Sequence, residues 1–125
     1  MRYVDAFVLV VPKKKLKEYK TMAINAGKMW KKYGALEYME SVGEDLHPKV
    51  MGGMGAMTFP QLTKLKKGEA PVFSYIVYRS RKHRDQVNAK IMKDPMMNDP
   101  AKKDMPMPFD MKRMAYGGFE AMVDL

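Results

Sequence analysis

Residues 3 to 11 alternate between Val4, Ala6, Val8 and Val10 on one side and Tyr3, Asp5, Phe7, Leu9 and Val11 on the other. Side chains of a strand point to opposite faces in turn, so this apolar, β-branched and aromatic run reads as a strand buried on both sides. From Leu16 the period lengthens. Tyr19, Ala23, Ala26, Trp30 and Tyr33 form a helical stripe, and Gly34 stands at its C-terminal stop, so a first helix spans roughly Lys13 to Tyr33. Leu36, Tyr38, Glu40 and Val42 then alternate with Glu37, Met39 and Ser41 as a second strand.

Between residues 45 and 70 the periodicity fades and Pro48, Gly52, Gly53, Gly55, Pro60 and Gly68 gather, which predicts a long connection with a short helix or edge strand near Thr58 to Leu65. Val72 to Tyr78 is the third strand. Ser80 caps a second helix from Arg81 to about Lys93, with Val87 and Ile91 on one face and Pro95 closing it. Met114 to Val123 reads as a fourth strand whose Gly117 and Gly118 signal a bulge or a close backbone approach.

The order βαβ, long loop, βαβ is that of an α+β, ferredoxin-like βαββαβ domain occupying residues 1–125, an antiparallel sheet with both helices on one face. Both faces of the first strand are apolar and only one can carry the helices. A second copy of the chain, packed sheet against sheet as a dimeric α/β barrel, is the expected cover for the other.

Composition narrows the chemistry. With no cysteine, thiol nucleophiles, thiolate metal sites and disulfides are excluded, and two histidines, His47 and His83, cannot build a three-histidine metal site in one chain. No metal and no cofactor is expected. No run approaches the roughly eighteen apolar residues of a membrane span, and the N-terminal apolar run is short, contains Asp5 and has its lysines after it, which argues against a signal peptide. A cytoplasmic protein without membrane contact is expected.

Lys and Arg outnumber Asp and Glu by 23 to 14, and much of that excess lies on the first helix. The lysines scatter around the helix without interleaved aromatics on the exposed side, so they read first as a solvated face, and any nucleic-acid binding is expected to be weak and non-specific.

Three segments, RYVDAFVLVVP, VFSYIVYRSRKHRDQVNAKIMKDP and MPFDMKRMAYGGFE, resemble the YbaA-like family of small bacterial proteins of unknown function, of the dimeric α/β-barrel class. The resemblance implies the same fold and a dimer, and carries no catalytic residues. Tyr75 stands where that family usually has tryptophan, and the connection MGGMGAM, Met51 to Met57, replaces a more polar one.

With the aliphatic side of the first strand assigned to the helices, Asp5 points with Tyr3 and Phe7 into the space between the sheets. A carboxylate there must be hydrogen-bonded, solvated or used. Glu40, Ser74, Tyr116 and Glu120 are placed to share that face. The functional reading is a semi-polar pocket for a small organic molecule, formed by Asp5, Tyr3, Tyr38, Glu40, Ser74, Tyr116 and Glu120, with Asp5 or Glu120 as a general base if the protein is a cofactor-independent enzyme. The structural reading, a polar network that fixes the dimer, ranks ahead of it. A basic RNA-associated protein and a purely structural or regulatory dimer are the alternatives.

The remaining signals are weaker. His83 reads as an exposed helix residue. Arg84 is placed to reach a carboxylate and Asn88 to bond a neighbouring loop, while Asp94 and Asp110 are turn and capping residues. Met51, Met54 and Met57 have the spacing of a soft copper site but read as packing residues. The ligand, the reaction and the pathway are not legible in the sequence.

Overall fold

The first strand is the hub of the sheet. In the computed structural model, which describes residues 1–49, 53–102 and 105–125, β1 (Tyr3–Pro12) pairs antiparallel with β3 (Glu69–Tyr78) on one side and with β4 (Ala115–Glu120) on the other, and β2 (Glu37–Val42) closes the far edge beside β3. The order β2-β3-β1-β4, with helices α1 (Leu16–Lys32) and α3 (Arg81–Met92), is the ferredoxin-like arrangement expected from the sequence. No helix among the described residues is long and apolar enough to cross a membrane.

The face assignment of β1 is reversed from expectation. Tyr3, Leu9 and Val11 belong to the core beneath the helices, and Phe7 packs against it. The register carries this face across the sheet through Tyr78, Ile76, Ser74 and Val72 of β3, Tyr38 and Glu40 of β2, and Tyr116 and Glu120 of β4. Val4, Ala6 and Val8 line the opposite, helix-free face with Phe73, Tyr75, Met39 and Phe119. The larger side chains of β1 fill the gap under the helices, and Asp5, buried among them, finds a guanidinium that descends from α3.

The core has two centres. One gathers Tyr3, Met29, Ile76, Tyr78, Val87 and Ile91 between the sheet and both helices; the other gathers Leu9, Val11, Tyr19, Ala23 and Val72 under the first half of α1. Lys13–Lys15 form a 3-10 turn leading into α1, whose end is set by Gly34 at φ +114°, a conformation that suits glycine.

Of the short helix or edge strand expected near Thr58 to Leu65, the structure has the helix, α2 (Phe59–Thr63), opened by a capping box in which the Thr58 hydroxyl accepts from the Gln61 N–H and the Gln61 side chain accepts from the Thr58 N–H. It lies against β1 and β3. The third strand begins earlier than its pattern suggested, because Pro71 sits within it, paired with Val10, and its carbonyl accepts from Gly43 N–H at 2.8 Å.

One open expectation is resolved and another is corrected. There is no bulge at Gly117 and Gly118, since the β1–β4 register runs without interruption. The glycine signal there is a close approach: a Cβ on Gly118 would lie 2.1 Å from the Tyr3 hydroxyl oxygen. His83 is buried, not exposed. Its ring meets Tyr78 edge-on at 5.9 Å and its Nδ1 accepts the Arg79 N–H at 3.0 Å, while burial pulls its pKa down, so the imidazole is a neutral structural acceptor.

Candidate functional site

Helix α1 stands away from the edge strand β2 along part of its length, leaving a cleft of about 700 Å³. The reason is local. Ala23 and Gly27, one turn apart, present little side chain toward the sheet, and the Tyr38 ring fills the space beside Gly27, where a Cβ would meet its Cδ1 at 2.8 Å. Leu16, Ile24, Val42 and Val72 complete an apolar lining.

One polar group interrupts that wall. The Glu40 carboxylate receives the Tyr19 hydroxyl on Oε1 and the Tyr38 hydroxyl on Oε2, the latter at 2.5 Å. Burial, reinforced by the hydrogen bond to Glu40, pushes both phenols above their ordinary pKa. They are therefore neutral donors at physiological pH. Exposed Lys20, Lys28 and Lys31 stand at the mouth, with Lys31 bonded to the Leu36 carbonyl at 2.7 Å.

A second polar cluster lies under α3. Arg84 reaches Asp5 at 3.7 Å, donates to the Tyr3 hydroxyl at 3.2 Å, and stacks over the Tyr3 ring 5.0 Å from its centroid. The fully buried Tyr78 hydroxyl accepts from the Trp30 indole N–H at 3.0 Å. Desolvation raises the Asp5 pKa, with Arg84 and Tyr78 opposing. This network joins α1, β1, β3 and α3 within one chain. Beside it the Asn88 Oδ1, expected to bond a loop, is buried without a hydrogen-bond partner among the described residues.

Residues 2–111 match the family described as a protein of unknown function (DUF1428), and the uncharacterized protein YbaA of Escherichia coli K12 is 41% identical over 125 residues, covering 99% of each chain. The chain belongs to this DUF1428 family. The YbaA protein of Shigella flexneri matches to the same extent. Among solved structures, a dimeric ferredoxin-like protein from an uncultured marine organism aligns over 100% of both chains with a TM-score of 0.56 at 9% identity, a likeness of fold.

In this DUF1428 member the seven residues singled out from the sequence do share one face of the sheet, but it is the helix-covered face, and they divide into three places. Tyr38 and Glu40 form the cleft, with buried Ser74 opposite Glu40 in the register. Tyr3 and Asp5 belong to the network under α3. Tyr116, stacked on Phe7 at 5.9 Å, and Glu120 are exposed on the edge strand β4.

Tyr19 and Arg84 were not singled out as site residues. The signal for Tyr19 was an aromatic with a polar handle in a helical stripe facing a strand that carries a glutamate. Asp94 and Asp110 hold turns as expected, through bonds to Met96 N–H at 2.8 Å and Lys112 N–H at 3.0 Å. Among the described residues no group of three or more His, Cys, Asp or Glu is placed to hold a metal. Met51 lies outside the described residues, and Met54 and Met57 are exposed.

Proposed function

We propose that this protein is a homodimer in which each subunit binds a small organic molecule in the cleft between α1 and β2. The observation that carries the reading is the Glu40 carboxylate, held by two tyrosine hydroxyls in the wall of a largely apolar cleft. Ligand sites combine such an apolar lining with a few convergent polar groups, and about 700 Å³ is within their usual range. Two phenols that stay protonated serve fixed hydrogen bonding better than proton abstraction, which favours binding over acid–base catalysis. The site is accordingly on the helix side of the sheet and not between two sheets.

The dimer rests on the helix-free face. Phe73, Met39 and Phe119 are exposed there at 42%, 50% and 60%, beside partly buried Val4 and Val8, a contiguous apolar surface of the kind that marks an interface. The related fold from the marine organism is described as dimeric. The RNA-associated alternative draws only on the charge.

Native mass spectrometry of the purified protein, followed by a thermal-shift screen of small organic acids, phenols and alcohols, tests the cleft. Val42→Trp, which fills the cleft from an exposed position, should abolish ligand-induced stabilisation while leaving the circular dichroism unchanged. Stabilisation equal in wild type and Val42→Trp would place binding elsewhere. Sedimentation equilibrium should give twice the 14.4 kDa chain mass, and a monomer at micromolar concentration would refute the dimer.

A further inference from the structure

The polar groups of the cleft are of opposite kinds at its two ends. At the wall, Glu40 and the oxygens of Tyr19 and Tyr38 have only acceptor capacity to offer, because both phenol hydrogens already point at the carboxylate. An ionised carboxylate has about four lone-pair sites, of which two are used here. Glu40 forms no ion pair among the described residues, so it stands in an apolar lining without a cation.

At the mouth the capacity is reversed. Lys20 and Lys28 are exposed, line the cleft, and likewise form no ion pair among the described residues. They are about two helical turns apart on α1, with Ile24 midway, so the two side chains leave the helix about 12 Å apart along its axis on either side of an apolar residue. Ammonium groups donate and cannot accept.

We infer that the occupant of this cleft is an amphipathic acid that carries a hydroxyl or amino donor at the end remote from its anionic group, the donor meeting Glu40 and the anion meeting Lys20 or Lys28. The inference rests on the cleft being the binding site. A neutral apolar molecule would leave both ends unanswered, and a simple acid would bring no donor to the half-buried Glu40 carboxylate. An acceptor such as a carbonyl or a second carboxylate would be repelled at Glu40.

Two matched ligand series test this by isothermal titration calorimetry and two-dimensional NMR on the wild-type protein. One comprises 3-(4-hydroxyphenyl)propanoate, 3-phenylpropanoate and the methyl ester of the hydroxy acid. The other comprises 10-hydroxydecanoate, decanoate and the corresponding hydroxy ester. In at least one series the hydroxy acid should bind about ten-fold more tightly than either truncated relative, the scale of one good hydrogen bond to a charged group.

Glu40→Leu should remove the preference for the hydroxyl while keeping that for the carboxylate. Lys20→Met combined with Lys28→Met should do the reverse. The wild-type series is informative even if a variant fails to fold. Binding that is lost in Val42→Trp but shows no preference for either polar end overturns the inference and leaves the cleft intact. Failure of every probe at millimolar concentration, or binding unaffected by Val42→Trp, overturns both.

Discussion

Adding one methyl group at Gly118 should unsettle the centre of the fold, whereas the same change at Gly117 should not. A Cβ on Gly118 would lie 2.1 Å from the Tyr3 hydroxyl oxygen and 2.7 Å from ring atoms Cε2 and Cζ, while a Cβ on Gly117 would meet its nearest neighbour, Phe119 Cε1, at 3.9 Å. To restore ordinary contact the Tyr3 ring must retreat by about 1 Å. It has little freedom to do so. Tyr3 is 7% exposed, its hydroxyl accepts from Arg84 at 3.2 Å, and Arg84 stacks over its ring.

Overpacking of this kind costs about 1–3 kcal/mol, and for a domain of this size that corresponds to a fall of about 4–12 °C in Tm. Urea unfolding and differential scanning calorimetry of Gly117→Ala and Gly118→Ala, each against wild type, measure the contrast. Removing the hydroxyl with Tyr3→Phe should lower the cost of Gly118→Ala, because the closest atom is then gone, and a double-mutant cycle reads that coupling directly. If Gly118→Ala is no more destabilising than Gly117→Ala, or if its cost is the same with phenylalanine at position 3, the close approach of Tyr3 is not what the glycine provides.

Two pH predictions have opposite signs. Because the folded-state pKa of Asp5 is raised by desolvation, its stabilising contribution is present below the unfolded value near pH 4 and is lost as pH rises through the folded value, so wild type should lose stability relative to Asp5→Asn between pH 4 and pH 7. Equal differences at both pH values in urea unfolding would contradict this. Asp94, held below its ordinary pKa by the Tyr33 hydroxyl, the Met96 N–H and nearby Lys32, contributes stability above about pH 4 that is lost as pH falls through its folded value. An acid titration of Asp94→Asn should therefore show a shallower loss of stability below pH 4 than wild type, and parallel curves would refute the assignment.

The site was legible in part. Glu40 and Tyr38 stand out because they lie two residues apart on one side of a strand, the side assigned to the same sheet face as Asp5, where a carboxylate needs a partner. Tyr19 does not stand out, since its ring satisfies the helical stripe and its hydroxyl matters only once α1 is laid over β2. Arg84 was placed as able to reach a carboxylate, but which carboxylate depended on how α3 docks. His83, among Arg81, Lys82 and Arg84, has the neighbours of an exposed residue, and its burial follows from the packing of α3 on Tyr78 and Gly34.

What the sequence determined by itself was the succession of elements, the cap at Ser80, the stop at Gly34 and the sharing of one sheet face by the seven polar candidates, because these follow from local periodicity and backbone preference. The tertiary structure alone decided which face of β1 the helices cover. A period of two separates the sides of a strand but does not rank them when both are apolar. The choice came from side-chain volume and from Arg84, distant in the chain, meeting Asp5 under α3.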